Sequence, residues 1–172
     1  DELAASSSAE EMGYLAYLGP GRESSFRAGL RRGGLLFPTP FSFQQPSAGS
    51  LVRAALENIA FSVKANLNNL DQVTGYSTDI LSLGGGMSKS SILAGILADV
   101  LGITIRRSKM HQTSARGAAL QAIAINSEGG DPASLRSVPG RDYEDVFPRS
   151  PRAVVQYEET YQQWYSLYNR LD

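Results

Sequence analysis

Three consecutive glycines, Gly84, Gly85 and Gly86, stand between the apolar run Ile80-Leu81-Ser82-Leu83 and the helix-like stretch SSILAGILADVL. Glycine lets a backbone approach a ligand closely and adopt positive φ. A helix starting just behind it turns unpaired N–H groups and the positive end of its dipole toward the same place. That combination suits the phosphates of a nucleotide. Ser90 would be a plain first-turn serine of that helix. The same glycines would equally serve a tight turn beneath a packed helix. The spacing departs from two known phosphate loops. G-x-x-x-x-G-K-[ST] requires glycine before lysine, whereas Ser88 precedes Lys89; G-x-G-x-x-G is met at Gly84 and Gly86 but finds lysine at position 89.

Other chemistries find little support. The chain has no cysteine, so disulfides and thiolate metal sites are excluded. Its one histidine, His111, lies in a polar connection with no nucleophile elbow, which argues against a Ser-His-Asp triad and against a zinc site built on several imidazoles. The net charge is -1, without the basic excess of a nucleic-acid footprint. No stretch approaches the roughly 18 apolar residues of a membrane span, and the acidic start DELAASSSAEEMG lacks the order of a signal peptide. A soluble cytoplasmic protein is the expectation. With 172 residues, a single domain with a sizeable core is expected.

The elements that must position the glycines follow from periodicity. Residues 1–13 read as an acidic, Ser-rich lead and 14–172 as the folded lobe. Tyr14 to Leu18 is a short apolar run, followed by a Gly- and Arg-rich loop and then by Pro38, Pro40 and Pro46, which forbid a helix. A long helix is predicted from Ser47 or Ser50 to about Leu70, with Leu51, Ala55, Ile59, Val63, Leu67 and Leu70 marking one face, widened by Ala54, Leu56 and Ala60, against a broad surface, expected to be a sheet. Strand 79–83, the glycines, a helix beginning near Ser88 or Lys89 and ending at Gly102, strand 103–106 and a helix capped by Thr113 or Ser114 make a βαβα unit with its two strands parallel. Residues 127–149 read as loop. Pro151 opens a last helix, to about Leu171, with an aromatic face of Tyr157, Tyr161, Trp164, Tyr165 and Tyr168, expected to be packing. Arg106, Arg107 and Lys109 read as a solvated strand end, and Asp99 as a helix-surface acid or a structural residue.

Four segments, in order, resemble the second domain of FGGY-family carbohydrate kinases: YLAYLGPGRES; GGLLFPTPFSFQQPSAGSLVRAALENIAFSVKANL; LSLGGGMSKSSILAGILADVLGITI; and TSARGAALQAIA. The third is similar to the family's adenosine motif, with Ala98, Asp99 and Gly102 in place, and the resemblance covers roughly 14–171. It implies an α/β fold: one lobe, partial and with flanking helices, of the actin-like ATPase or RNase H-like type. It implies ATP and ADP as ligands, with nucleotide contacts at Gly84, Gly85, Gly86, Met87 and Ser90, and Mg2+ accompanying the ATP.

The family's sugar-binding lobe, the Gly-Asp segment carrying its general base and a phosphate-holding Gly-Thr-Ser turn lie outside this sequence. The resemblance therefore implies a fragment, not starting with Met, that does not transfer phosphate alone. A sugar or polyol substrate would be bound by the missing lobe. The alternative is a non-catalytic nucleotide-binding or structural subunit that pairs with a separate sugar-binding lobe. An uncovered sheet edge would favour self-association or contact with the N-terminal lobe.

Overall fold

The computed structural model describes residue 2 and residues 13–18, 23–24, 27–28, 33–37, 46–126 and 142–171. Most of the expected Ser-rich lead, Arg22, Pro38, Pro40 and residues 127–141 of the expected 127–149 loop lie outside the described residues.

The apolar run near the start forms β1 (Leu15–Tyr17). Within the expected loop lie two short paired strands, β2 (Glu23–Ser24) and β3 (Arg27–Ala28). β4 (Gly34–Leu36) then returns antiparallel to β1, with Ala16 opposite Leu35.

The long helix α1 (Ala48–Thr74) starts where Ser47 caps it, its Oγ accepting the Ser50 N–H at 3.0 Å. It runs one turn beyond Leu70, because Asp71 to Thr74 carry no breaker and Gly75 is the first residue able to close it. Its deepest face lies on one side of the predicted stripe, where Ala54 and Ala60 widen it. Ala54, Glu57, Asn58, Ala60, Phe61 and Ala65 are buried, whereas Leu51, Ala55, Ile59, Val63 and Leu67 are half-buried and Leu70 is exposed. The cover also differs from the expected sheet: α1 packs on two later helices and on β1. Small and hydrogen-bonded residues let the helices approach closely, so they hold the centre of the contact.

The predicted βαβα unit is present. β5 (Ile80–Leu83) leads through the glycines to α2 (Ser91–Leu101), then to β6 (Thr104–Ser108) and α3 (Thr113–Asn126). β5 and β6 are parallel neighbours, with Ile80 opposite Thr104 and Leu83 opposite Arg107. Gly102 ends α2 in the left-handed region with its N–H on the Ala98 carbonyl at 2.9 Å. α2 is nearly all apolar, and Leu93, Ala94, Ile96, Leu97, Ala98 and Val100 are buried. A helix that is apolar all round belongs in the middle of a fold. α2 lies under α1, on β6 and against the last helix, α4 (Pro151–Leu171).

One stretch expected as loop is a strand. β7 (Tyr143–Val146) pairs antiparallel with β6, giving the sheet order β5-β6-β7. Its YEDV sequence lacks an apolar alternation. The strand is matched to β6 by charge, because Arg106 binds Asp145 through Nε and Nη2 at 2.8 and 2.9 Å and Arg107 pairs with Glu144. Arg106 and Arg107 are thus cross-strand partners and not merely a solvated end. Arg106 beside it holds the Asp145 carboxyl below its usual range.

The aromatic face of α4 is packing, as expected. Trp164 is fully buried, stacked on Tyr17 at 6.0 Å, 4.9 Å from Tyr168 and 5.7 Å from Phe61. Its Nε1 donates to the Ala16 carbonyl at 3.0 Å and toward Asn58 Oδ1 at 3.3 Å, tying α4, β1 and α1 together. Beside it, Tyr157 donates to Glu57 at 2.8 Å and accepts from Arg53 at 2.9 Å. Burial raises the Glu57 carboxyl, opposed chiefly by the Arg53 charge, and raises the Tyr157 hydroxyl.

Candidate nucleotide-binding site

The three glycines have three different local reasons. A Cβ on Gly84 would meet Thr113 Cγ2, at the start of α3, at 3.3 Å. Gly85 has φ 74 and ψ -158, a region essentially reserved to glycine. Gly86 opens a 3-10 turn, Gly86–Lys89, and a Cβ there would meet no described atom within 4 Å. Packing and backbone conformation account for the first two. The third leaves open space directly before the N-terminus of α2.

Met87 lies in the 3-10 turn and is 45% exposed. Ser90 is the N-cap of α2: its Oγ accepts the Leu93 N–H at 3.0 Å. α2 therefore begins two or three residues after the predicted start, because the 3-10 turn takes up residues 86–89. Ser90 thus has a capping role whatever else it contacts.

Two residues that spacing did not single out sit under the turn. Ser88 is 1% exposed. Its Oγ donates to the Gly85 carbonyl at 2.8 Å and lies 3.0 Å from His111 Nδ1, while its N–H reaches the same carbonyl at 3.2 Å. His111 comes from the β6–α3 connection, which β6 carries to the glycines because it runs parallel to β5. No local signal marked this pairing, because Ser88 and His111 lie 23 positions apart and meet only across the parallel strands. On this side the turn borders an open groove of about 620 Å³, lined by Lys89, Met110, His111, Gln112, Ala115 and Arg116 among others.

Asp99 is not a surface acid. It is buried at the end of α2, bound to the N–H and Nε of Arg149, and its role is structural. Among the described residues no three carboxylate or imidazole groups converge as a metal site. No helix of the described residues is long and apolar enough to cross a membrane.

The βαβ unit with a glycine turn before a buried helix, flanked by packing helices, is one lobe of the actin-like ATPase fold. The same arrangement is found in xylulose kinase from Rhodospirillum rubrum, with a TM-score of 0.72 and 24% identity over 99% of this chain and 33% of that one. Plasmodium falciparum glycerol kinase, solved with ADP, superimposes with a TM-score of 0.69 at 19% identity over 99% of this chain and 33% of its own. In sequence, residues 1–125 match the FGGY family of carbohydrate kinases, C-terminal domain, and the chain belongs to that family. A glycerol kinase of Gloeobacter violaceus is 34% identical over 107 residues, 62% of this chain and 21% of the relative. The chain spans about a fifth of the length of the curated relatives it matches.

Proposed function

We propose that residues 14–172 form the nucleotide-binding lobe of a carbohydrate kinase, which transfers the γ-phosphate of ATP to a sugar or polyol hydroxyl. The observation that carries this reading is the turn itself: Gly85 in a glycine-only conformation, Gly86 open to space, and the capped N-terminus of α2 behind them. Gly84 to Gly86 would take the nucleotide against the backbone, Met87 would lie against its base, and Ser90 would add a polar contact beside its capping bond. The ADP present in the glycerol kinase that shares this fold supports the same reading.

Phosphoryl transfer needs positioning and charge stabilisation more than covalent chemistry from the protein. This lobe supplies positioning of the nucleotide. The described residues offer Mg2+ no carboxylate cage, so the ion would arrive on the nucleotide phosphates, as is common for magnesium. The sugar, and the group that deprotonates its hydroxyl, belong to an N-terminal lobe that this chain would contact. The chain alone would bind nucleotide without turnover.

The test is a calorimetric titration with a non-hydrolysable ATP analogue and Mg2+, on the wild type and on Gly86→Trp. Because a Cβ at Gly86 meets no described atom within 4 Å, the variant should fold as the wild type does and lose the binding. Equal binding by the two proteins, or none by the wild type, would overturn the site.

A further inference from the structure

Ser88 has one hydroxyl proton and two partners that compete for it. Gly85 O is an acceptor only, so the 2.8 Å contact requires Ser88 to donate there. The 3.0 Å contact to His111 Nδ1 then requires the ring to donate to Ser88 Oγ. Proton bookkeeping thus gives a one-way relay, His111 Nδ1–H to Ser88 Oγ–H to Gly85 O. In a trans peptide the N–H of Gly86 lies antiparallel to the Gly85 carbonyl. Holding that carbonyl down on the buried Ser88 side therefore turns the Gly86 N–H the other way, away from Ser88. Gly85 has no side chain to resist a peptide flip, so the carbonyl's two hydrogen bonds, from Ser88 N and Ser88 Oγ, are what fix the plane.

We propose that His111 is a positioning residue for the nucleotide: through Ser88 it locks the Gly85–Gly86 peptide plane with its N–H available to a ligand oxygen. The inference rests on the nucleotide reading of the glycine turn. His111 touches no reacting atom in this scheme. It selects one orientation of the turn, and the nucleotide is then held without the cost of ordering that peptide on binding.

The experiment uses the full chain and two readouts. The first is the 15N spectrum of the imidazole, unambiguous because the chain has a single histidine. At a pH where the ring is neutral, the relay requires the Nδ1–H tautomer in the wild type and its loss in Ser88→Ala. A neutral wild-type ring protonated on Nε2 would overturn the relay whatever the nucleotide does. The second is calorimetric affinity for ADP. His111→Ala should weaken it by about three- to ten-fold, the range for one net hydrogen bond. His111→Asn should recover most of that loss, because its amide N–H can donate from the place of Nδ1. In a Ser88→Ala background the His111→Ala change should do nothing further. Unchanged affinity in His111→Ala, or an asparagine variant as weak as the alanine one, would overturn the positioning role. No ADP binding by the wild type would remove the nucleotide reading and the positioning role together, while the tautomer still decides separately whether the relay exists.

Discussion

Asp99 and Arg149, 50 positions apart, are joined by two hydrogen bonds: Asp99 Oδ1 accepts the Arg149 backbone N–H at 2.7 Å and Oδ2 accepts its Nε at 2.5 Å. The carboxylate is buried and the guanidinium about half exposed. The bond anchors the segment entering α4 to the end of α2, one residue before the Ser150 that caps α4. Asp99→Ala leaves the Arg149 N–H without this acceptor, and a cost of about 2–3 kcal/mol is expected. Arg149→Ala keeps the backbone bond and should cost less. Urea unfolding of the two variants gives the order, and an equal cost would count against the backbone bond as the main anchor.

Gly85 and Gly86 should behave oppositely toward stability. Gly85→Ala forces a side chain into a strained conformation and should lower stability by about 1–3 kcal/mol. Gly86→Ala places a methyl in open space and should stay within about 1 kcal/mol of the wild type, the usual range for glycine to alanine. Thermal unfolding of both variants, without nucleotide, reads this directly.

Trp164 is the chain's only tryptophan, so its fluorescence reports the joint between α4, β1 and α1. Trp164→Ala should cost about 3–5 kcal/mol through the cavity it leaves. Trp164→Phe keeps most of the ring but removes the Nε1 bond to the Ala16 carbonyl, and about 1–3 kcal/mol is expected. Circular dichroism during urea unfolding measures both.

Glu158 pairs with Lys64 Nζ at 2.6 Å, while Lys64 also donates to the Val100 carbonyl at 2.6 Å. Burial pushes the Glu158 carboxyl up, but the bonds from Lys64 and Gln162 outweigh it and the net shift is downward. A depressed folded-state value means that the unfolded chain binds the proton first as pH falls. The stabilisation is therefore fully present above the ordinary glutamate value of about 4.3 and is lost as pH drops through the depressed one. Glu158 is nearly half exposed, so Glu158→Gln should cost only about 0.5 kcal/mol at pH 7. The difference should shrink with salt and vanish in acid. A constant difference from pH 7 to pH 3 would assign the effect to packing.

The glycine turn and its two flanking elements were legible in the residues because their signals are local. Ile80 to Leu83 alternates with few breakers, three glycines interrupt it, and an apolar helix pattern ends at Gly102, all within a short span of chain. The start of α2 shifted to Ser91 because hydrophobic period cannot separate a 3-10 turn from a first helical turn. β7 was missed for a different reason. Tyr-Glu-Asp-Val has no apolar alternation, and its pairing depends on Arg106 and Arg107, far away in sequence.

By itself, the amino-acid sequence determined the α/β class, the parallel βαβ unit, the glycine turn ahead of a buried helix, and the family. Backbone preference, hydrophobic period and residue order encode these, and each acts between near neighbours. Tertiary structure alone decided that α1 meets its neighbours through Glu57 and Asn58, that Thr113 closes over Gly84, and that His111 reaches Ser88. Such contacts join polar or small residues from separate segments. Their energy comes from mutual geometry in a dry environment, and that geometry exists only once the strands and helices that carry them have packed.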